Sequence, residues 1–282
     1  MDISSVIDGI ASGAAANIKV NEGDYTGKDG LLYCGKCHTP KQTEIGVDGS
    51  GSIRRVMCLC QCETDKVRKE KDAQKQAEFE RRVKAMRSEG FPEKQMRVWT
   101  FANDDMQNSS ITTAMRNYVG HFPEFLKTGK GLLLYGPTGT GKTYAACEVA
   151  NALIGKGVPV LVTDFVRLVN TLQGLSGERQ AYIDSLSRFT LLVIDDLGAE
   201  RKSEFMQEQV YNIVNSRYIA GLPMIVTTNL GINEIKQPSD IGNKRIYDRI
   251  LERCFPVEVN GGDRRRNTIR RDYDSMKNLL GL

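Results

Sequence analysis

Residues 136–143 read GPTGTGKT, a full match to the spacing G-x-x-x-x-G-K-[ST]. The chemistry that needs this pattern is capture of a polyphosphate. Gly136, Gly139 and Gly141 let the backbone turn its N–H groups inward, Pro137, Thr138 and Thr140 complete the loop, and the helix that follows presents the positive end of its dipole. Lys142 is placed to reach the β- and γ-phosphates of ATP, and the Thr143 hydroxyl to ligate Mg²⁺.

A metal held in this way requires an acid, and LLVIDDLGAE at 191–200 supplies two. Its apolar residues build a central strand, and ligands of open α/β sheets bind at the carboxyl ends of such strands. Asp195 is expected in the Mg²⁺ shell. Asp196 is placed to orient or deprotonate the attacking water, with a helix N-cap as its alternative use. One strand later, Asn229 in TTNL stands at a strand end, able to bond the γ-phosphate or the lytic water. Beyond it, NKRIYDRILERC puts Arg245 and Arg249 four apart on one helix face. They read either as members of surface ion pairs or as an arginine finger serving a neighbouring subunit, an effect of about 10³ to 10⁵ in rate. GGDRRRNTIRR offers a further phosphate-facing arginine, Arg265, with Arg264 and Arg266 as register alternatives and a nucleic-acid patch as the competing use.

Five of the seven cysteines fall between positions 34 and 62, in the spacing C-x2-C-x20-C-x-C-x-C. The first half, C-x-x-C followed by His38, would suit covalent haem only in an oxidising assembly compartment and a redox pair only in a βαβ context, and neither is implied. Two short thiol clusters separated by a loop of this length suit tetrahedral Zn²⁺, which closes a hairpin too small to form its own core. Cys34 and Cys37 make the first half of that site, and two of Cys58, Cys60 and Cys62 complete it. Cys147 and Cys254 lie inside apolar patterns and read as core.

These residues must be positioned by regular elements. The short apolar runs GLLLY, VPVLVT, TLLVIDD, PMIVTTN and FPVEV read as strands buried on both faces, alternating with helical segments. One of these, EFMQEQVYNIVNSRYIAG, places Val210, Ile213, Val214 and Arg217 on one face and ends on Gly221 as a C-terminal cap. Alternation of this kind means a parallel sheet covered by helices. Between the cysteines and this core, 63–90 is polar and helix-favouring until Gly90 and Pro92 break it. Its sparse apolar residues, Val67 to Met86, leave room for a partner-binding stripe. The expected organisation is a module at 1–62, a charged helix and linker at 63–94, and a main domain at 95–282. A length of 282 residues with 40% apolar content suits such a medium domain with a smaller appendage. No apolar run is long enough to span a bilayer, so a soluble, cytoplasmic chain with no membrane partner is expected. The net charge of +4 neither demands nor excludes nucleic acid.

Taken in order, GKGLLLYGPTGTGKTYAACEVANALI, LLVIDDLGAE, IVNSRYIAGLPMIVTTNL and RIYDRILERC resemble the AAA+ bacterial replicative helicase loaders of the DnaC and DnaI type, which share their ATPase core with the IstB-like transposition helpers. The resemblance covers roughly residues 95–282. It implies an α/β fold, a P-loop AAA+ core with a five-stranded parallel sheet flanked by helices, behind a small N-terminal zinc-binding module that contacts the helicase. By the same resemblance Asn229 is sensor 1, Arg245 the arginine finger with Arg249 beside it, and Arg265 sensor 2. Asp196 stands where the general AAA+ pattern has Glu, and the chain after the last strand is too short for the helical lid, which the loaders also lack. The implied activity is ATP-dependent delivery of a hexameric replicative DNA helicase onto single-stranded DNA, by subunits assembled side by side as a homo-oligomer in the ATP-bound state. DNA contacts are expected in the segment after the second strand and from Arg167, Arg179 and Lys202. The rival readings are an IstB-like ATPase assisting a transposase, and a nucleotide-gated adaptor with little hydrolysis.

Overall fold

The computed structural model describes residues 19–47, 52–105, 108–175, 177–198 and 203–264, together with 273, 276, 277, 279 and 280. The chain divides into two compact units, Met1–Phe79 and Glu80–Leu282. The division falls inside helix α1, Gln61–Gly90.

In the first unit, β1 (Tyr25–Thr26) and β2 (Leu32–Tyr33) form one antiparallel hairpin, and β3 (Gln42–Val47) and β4 (Ser52–Met57) form another. Among the described residues, none of either hairpin belongs to a hydrophobic core cluster. Lys41, fully buried, lies between them and joins the start of α1 to the first hairpin. Its ammonium lies 2.9 Å from Asp24 and 3.5 Å from Glu63 and donates to the Lys19 carbonyl at 2.7 Å. Desolvating a charge is costly unless it is paired and hydrogen-bonded, and here it is both.

The second unit is built on five parallel strands, β5 (Gly131–Tyr135), β6 (Val160–Asp164), β7 (Leu191–Leu197), β8 (Met224–Thr228) and β9 (Cys254–Glu258), in the order β6-β7-β8-β5-β9. These are the five apolar runs that the sequence marks as strands. Side chains alternate across a sheet, so Leu132, Leu134, Leu191, Val193 and Ile225 pack on one layer, with α2 (Ser109–Gly120), α3 (Phe122–Thr128) and α4 (Lys142–Gly155). Leu133, Leu192, Ile194 and Val226 pack on the other, with α5 (Phe165–Gly174), α6 (Arg179–Ser185), α7 (Glu204–Ala220), α8 (Ile232–Lys236) and α9 (Ile241–Arg253). Apolar residues at both parities are what a sheet covered on both faces requires.

Helix α7 begins where the Ser203 hydroxyl accepts the Met206 N–H and ends at Gly221, whose φ of 64° returns its N–H to the Arg217 and Tyr218 carbonyls. On its buried face Arg217 donates to the carbonyls of Phe189 (2.8 Å), Thr190 (3.1 Å) and Pro223 (2.6 Å), tying α7 to the chain just before β7 and β8. Burial lowers its pKa to about 10, so the guanidinium stays charged at neutral pH, its two terminal nitrogens bonded to neutral oxygens and its buried Nε without a partner among the described residues.

Two expectations are revised by packing. Val83 and Met86, counted with a partner-binding stripe, pack against the core of the second unit. In α5, Phe165, Leu168, Val169 and Leu172 are core residues. Of the basic residues assigned to DNA, Arg179 is committed internally, donating to the Leu172 carbonyl at 2.9 Å and lying over Phe205. Arg167 is half exposed beside Asp164, and Lys202 lies outside the described residues.

Candidate functional site

The loop between β5 and α4 holds Gly136, Gly139 and Gly141 at φ of 139°, 85° and 97°, a range that L side chains rarely adopt. At Gly139 a Cβ would also collide with the Asp263 carboxylate. Pro137, Thr138 and Thr140 lie between these glycines, and the Thr140 hydroxyl closes the loop on the Pro137 carbonyl at 2.9 Å. Lys142, in the first turn of α4 and 5% exposed, donates to the carbonyls of Gly136 (2.9 Å) and Pro137 (2.7 Å) and to Asn229 Oδ1 (2.7 Å). An ammonium bonded to neutral oxygens at the mouth of such a loop fits a phosphate oxygen.

On the other side of Lys142 the Thr143 hydroxyl donates to both oxygens of Asp195, at 2.9 and 3.1 Å. A hydroxyl and a carboxylate meeting beside a phosphate loop are the donor set that Mg²⁺ uses in P-loop proteins. Burial raises the Asp195 pKa, and a hydrogen bond from Thr227 opposes that rise. Asp196 follows with φ of 56° and, with Lys142, Thr143 and Asn229, lines a cavity of about 660 Å³.

The other wall of the cavity contains residues that no sequence motif marks. Trp99 lies with its ring centroid 5.6 Å from that of Tyr144, and Asn103 stands nearby. The Asn151 amide of α4 holds this segment by donating to the Met96 and Trp99 carbonyls, each at 2.9 Å. The wall offers an aromatic face and an amide, the chemistry that suits a nucleobase. The signals available beforehand were a lone Trp and a polar Asn on a helical face that is otherwise apolar.

Arg264 donates its backbone N–H to the Gly139 carbonyl at 3.0 Å, and its guanidinium lies against Gly141, 3.3 Å from Asp105 and 3.5 Å from Asp104. It thus occupies the phosphate end of the cavity. Arg265, the register expected there, lies outside the described residues, as does Arg266. Arg245 is exposed on α9 and makes no hydrogen bond or ion pair among the described residues. Arg249 differs: it lies over the Tyr218 ring at 4.1 Å and 3.6 Å from Glu252.

Four cysteines of the first unit converge. The Sγ atoms of Cys34, Cys37, Cys60 and Cys62 all lie within 4.8 Å of one another. The Cys34–Cys62 separation of 3.8 Å matches the edge of a tetrahedron with Zn–S bonds of about 2.3 Å, an edge of about 3.8 Å. Cys58 is not in this group. Its N–H continues the β3–β4 pairing by bonding the Lys41 carbonyl at 2.8 Å, and its thiol faces the Pro40 carbonyl. His38 is likewise apart, with Nδ1 3.2 Å from the Tyr25 hydroxyl.

With this geometry in hand, the likeness to known proteins becomes informative. The family model described as IstB-like ATP binding protein matches residues 64–272, well over half of the chain. The replicative helicase loader DnaI of Bacillus subtilis is 30% identical over 165 residues, covering 51% of this chain and 52% of that protein. An insertion-sequence ATP-binding protein of Mycobacterium tuberculosis is 24% identical over 141 residues, covering 49% of this chain and 56% of its own length. The chain thus spans about half the length of the curated relatives it matches. The crystal structure of DnaI superposes with a TM-score of 0.50 at 25% identity, over 62% of this chain and 94% of that one. The phosphate loop, the paired aspartates and the five-stranded sheet all fall within the stretch that the family model covers. This chain belongs to the family of IstB-like ATP binding proteins.

Proposed function

We propose that this chain is an ATP-dependent loader that delivers a hexameric replicative DNA helicase onto single-stranded DNA at the start of replication. The observation that carries this over a transposase role is the four-thiol cluster at Cys34, Cys37, Cys60 and Cys62, which precedes residue 64, where the family match begins. A cysteine-rich N-terminal module that contacts the helicase is what the resemblance to the loaders implies, and the IstB-like helpers generally lack one. In this reading 1–62 is the helicase-binding module closed by Zn²⁺, 63–94 the connecting helix, and 95–282 the ATPase domain acting in the cytoplasm.

The residues divide the work along the cavity. Trp99 and Asn103 receive the base, while Gly136 to Gly141 surround the phosphates with N–H donors. Lys142 releases its carbonyl partners to hold the β- and γ-phosphates, and Asn229 turns to the γ-phosphate or the lytic water. Thr143 and Asp195 would hold Mg²⁺, which when bound would neutralise charge on the leaving phosphate. Asp196 orients the water. Arg245, exposed on α9, serves the site of a neighbouring copy, and Arg264 or Arg265 faces the phosphates from within the chain. Loss of the γ-phosphate removes the charge that these groups share and so weakens the ATP-bound assembly.

The test is mass measurement of the full chain mixed with candidate replicative helicases, with ATP and without. A nucleotide-dependent complex is expected. The likeness to an insertion-sequence protein favours a second reading, an ATPase assisting a transposase. Capture of a transposase and no helicase would establish that reading instead. A nucleotide-gated adaptor is distinguished by steady-state turnover. ATP hydrolysis that is measurable in the wild type and lost in Asp196→Asn is expected here, and an undetectable wild-type rate would leave the adaptor.

A further inference from the structure

Strands β7 and β8 pair with one irregularity. Ile194 opposes Val226 and Leu197 opposes Thr228, so two residues of β7, Asp195 and Asp196, face a single residue of β8, Thr227. This is the arrangement of a β-bulge, in which the extra residue leaves the ladder and its side chain is re-aimed. Asp196 is that residue, with φ of 56°, a left-handed conformation that Asp adopts more readily than Glu. Its N–H, taken out of the ladder, donates to the Thr227 hydroxyl at 3.0 Å. The same hydroxyl donates to Asp195 Oδ1. A hydroxyl carries one donor and two lone pairs, so a single Thr can serve both aspartates at once. Thr227 is fully buried, and water does not compete for these bonds. Beside it, the buried Thr228 hydroxyl donates to the Leu197 carbonyl at 2.8 Å and closes the far side of the bulge.

We infer that Thr227 is a positioning residue for hydrolysis, its hydroxyl fixing the metal-binding Asp195 and the water-orienting Asp196 together. The inference rests on the nucleotide-site reading proposed above and adds the coupling between its parts. Asn229, two residues on, bonds Lys142, so β8 carries the contact to the phosphate loop and the brace for both carboxylates. Asp195 is held from two sides, by Thr143 of the phosphate loop and by Thr227 of the sheet. A shift of β8 with the state of the phosphate site is therefore transmitted to both acids. Asp196, which stands where the general AAA+ pattern has Glu, suits the left-handed backbone, and its shorter side chain relies on that backbone for its direction.

The test uses the full chain and three variants: Thr227→Val, isosteric without the hydroxyl, Thr227→Ala, smaller and also without it, and Thr227→Ser, which keeps it. The first readout needs no nucleotide. Hydrogen exchange at the Asp196 amide is expected to accelerate in Thr227→Val and Thr227→Ala and to stay protected in Thr227→Ser. The second is binding of fluorescent ATP as Mg²⁺ is varied. Partners of a metal ligand typically contribute 10- to 100-fold, so the Mg²⁺ needed for half-maximal binding should rise about tenfold or more in the two hydroxyl-free variants and return to near wild type in Thr227→Ser. Binding in excess EDTA should change by less than about twofold, since the phosphate loop is untouched. Unchanged exchange at Asp196, or a Thr227→Ser variant as impaired as Thr227→Val, would overturn the inference. A wild type that takes up no ATP would instead overturn the nucleotide reading, with the exchange result still deciding whether Thr227 braces the bulge.

Discussion

The Lys142 ammonium, in the first turn of α4, lies 2.7 Å from the carboxamide oxygen of Asn229, the residue after β8, and joins positions 87 apart in the chain. Both side chains line the cavity beside the glycine loop, and their mutual hydrogen bond holds them there. Hydrogen bonds to charged groups contribute about 1.5–3 kcal/mol each. Lys142→Ala is therefore expected to weaken Mg·ATP binding by about a hundredfold or more, whereas Asn229→Ala should spare binding of ADP and slow turnover. Equilibrium titration with fluorescent nucleotides checks both, and retention of wild-type affinity in Lys142→Ala would refute the nucleotide site.

Arg245 and Arg249 share a helix but have different surroundings: the second is held by Tyr218 and Glu252, while the first reaches into solvent. If Arg245 serves a neighbouring site, Arg245→Ala should bind ATP normally yet hydrolyse it about 10³-fold more slowly. Mixing Arg245→Ala with Asp196→Asn, each inactive alone, should restore part of the rate, because some interfaces then pair an intact acid with an intact arginine. No recovery at any mixing ratio would rule out action in trans.

For the thiols, Cys60→Ser and Cys62→Ser are expected to lose bound zinc, and Cys58→Ser to retain about one ion per chain. Elemental analysis of the purified variants decides this. ATP binding should survive in all three, because the loop that binds phosphate belongs to the other unit.

A pH effect is expected from Glu148 of α4, which is 2% exposed. Burial, with Asp104 nearby, raises its pKa from an ordinary 4.5 to about 7. The neutral form is therefore favoured in the folded chain. Its stabilising contribution is complete below pH 4.5 and declines as pH rises to about 7, because the unfolded chain releases the proton first. Each pKa unit corresponds to about 1.4 kcal/mol, so the decline is on the order of 3 kcal/mol. In urea unfolding across this window, Glu148→Gln should gain stability relative to wild type as pH rises. A constant difference between the two proteins would contradict the assignment.

Much of the phosphate-loop end of the sheet was legible in the order of residues because each signal there is local. The phosphate loop needs its glycines at set spacings, and the five strands reveal themselves as short apolar runs since both faces are covered. Gly221 marks the end of α7 for an equally local reason, the left-handed backbone of its cap. By contrast, the spacing of Cys58, Cys60 and Cys62 would place three thiols on one face if the chain stayed extended. The chain enters α1 at Gln61, and this change of backbone geometry excludes Cys58.

Short-range periodicity and backbone conformation therefore sufficed for the fold class, the phosphate loop, the paired aspartates and the existence of a thiol cluster. Packing alone settles which four thiols meet, that Trp99 and Asn103 share a cavity with the phosphate loop, and that Arg217 bonds carbonyls at the far end of the sheet. Thr227 belongs to the same class: as a β-branched residue in a strand it looks ordinary, and its two bonds to the aspartates exist only because β7 bulges against β8. Such contacts join segments far apart in the chain, and the strand register that creates them is a property of the packed sheet.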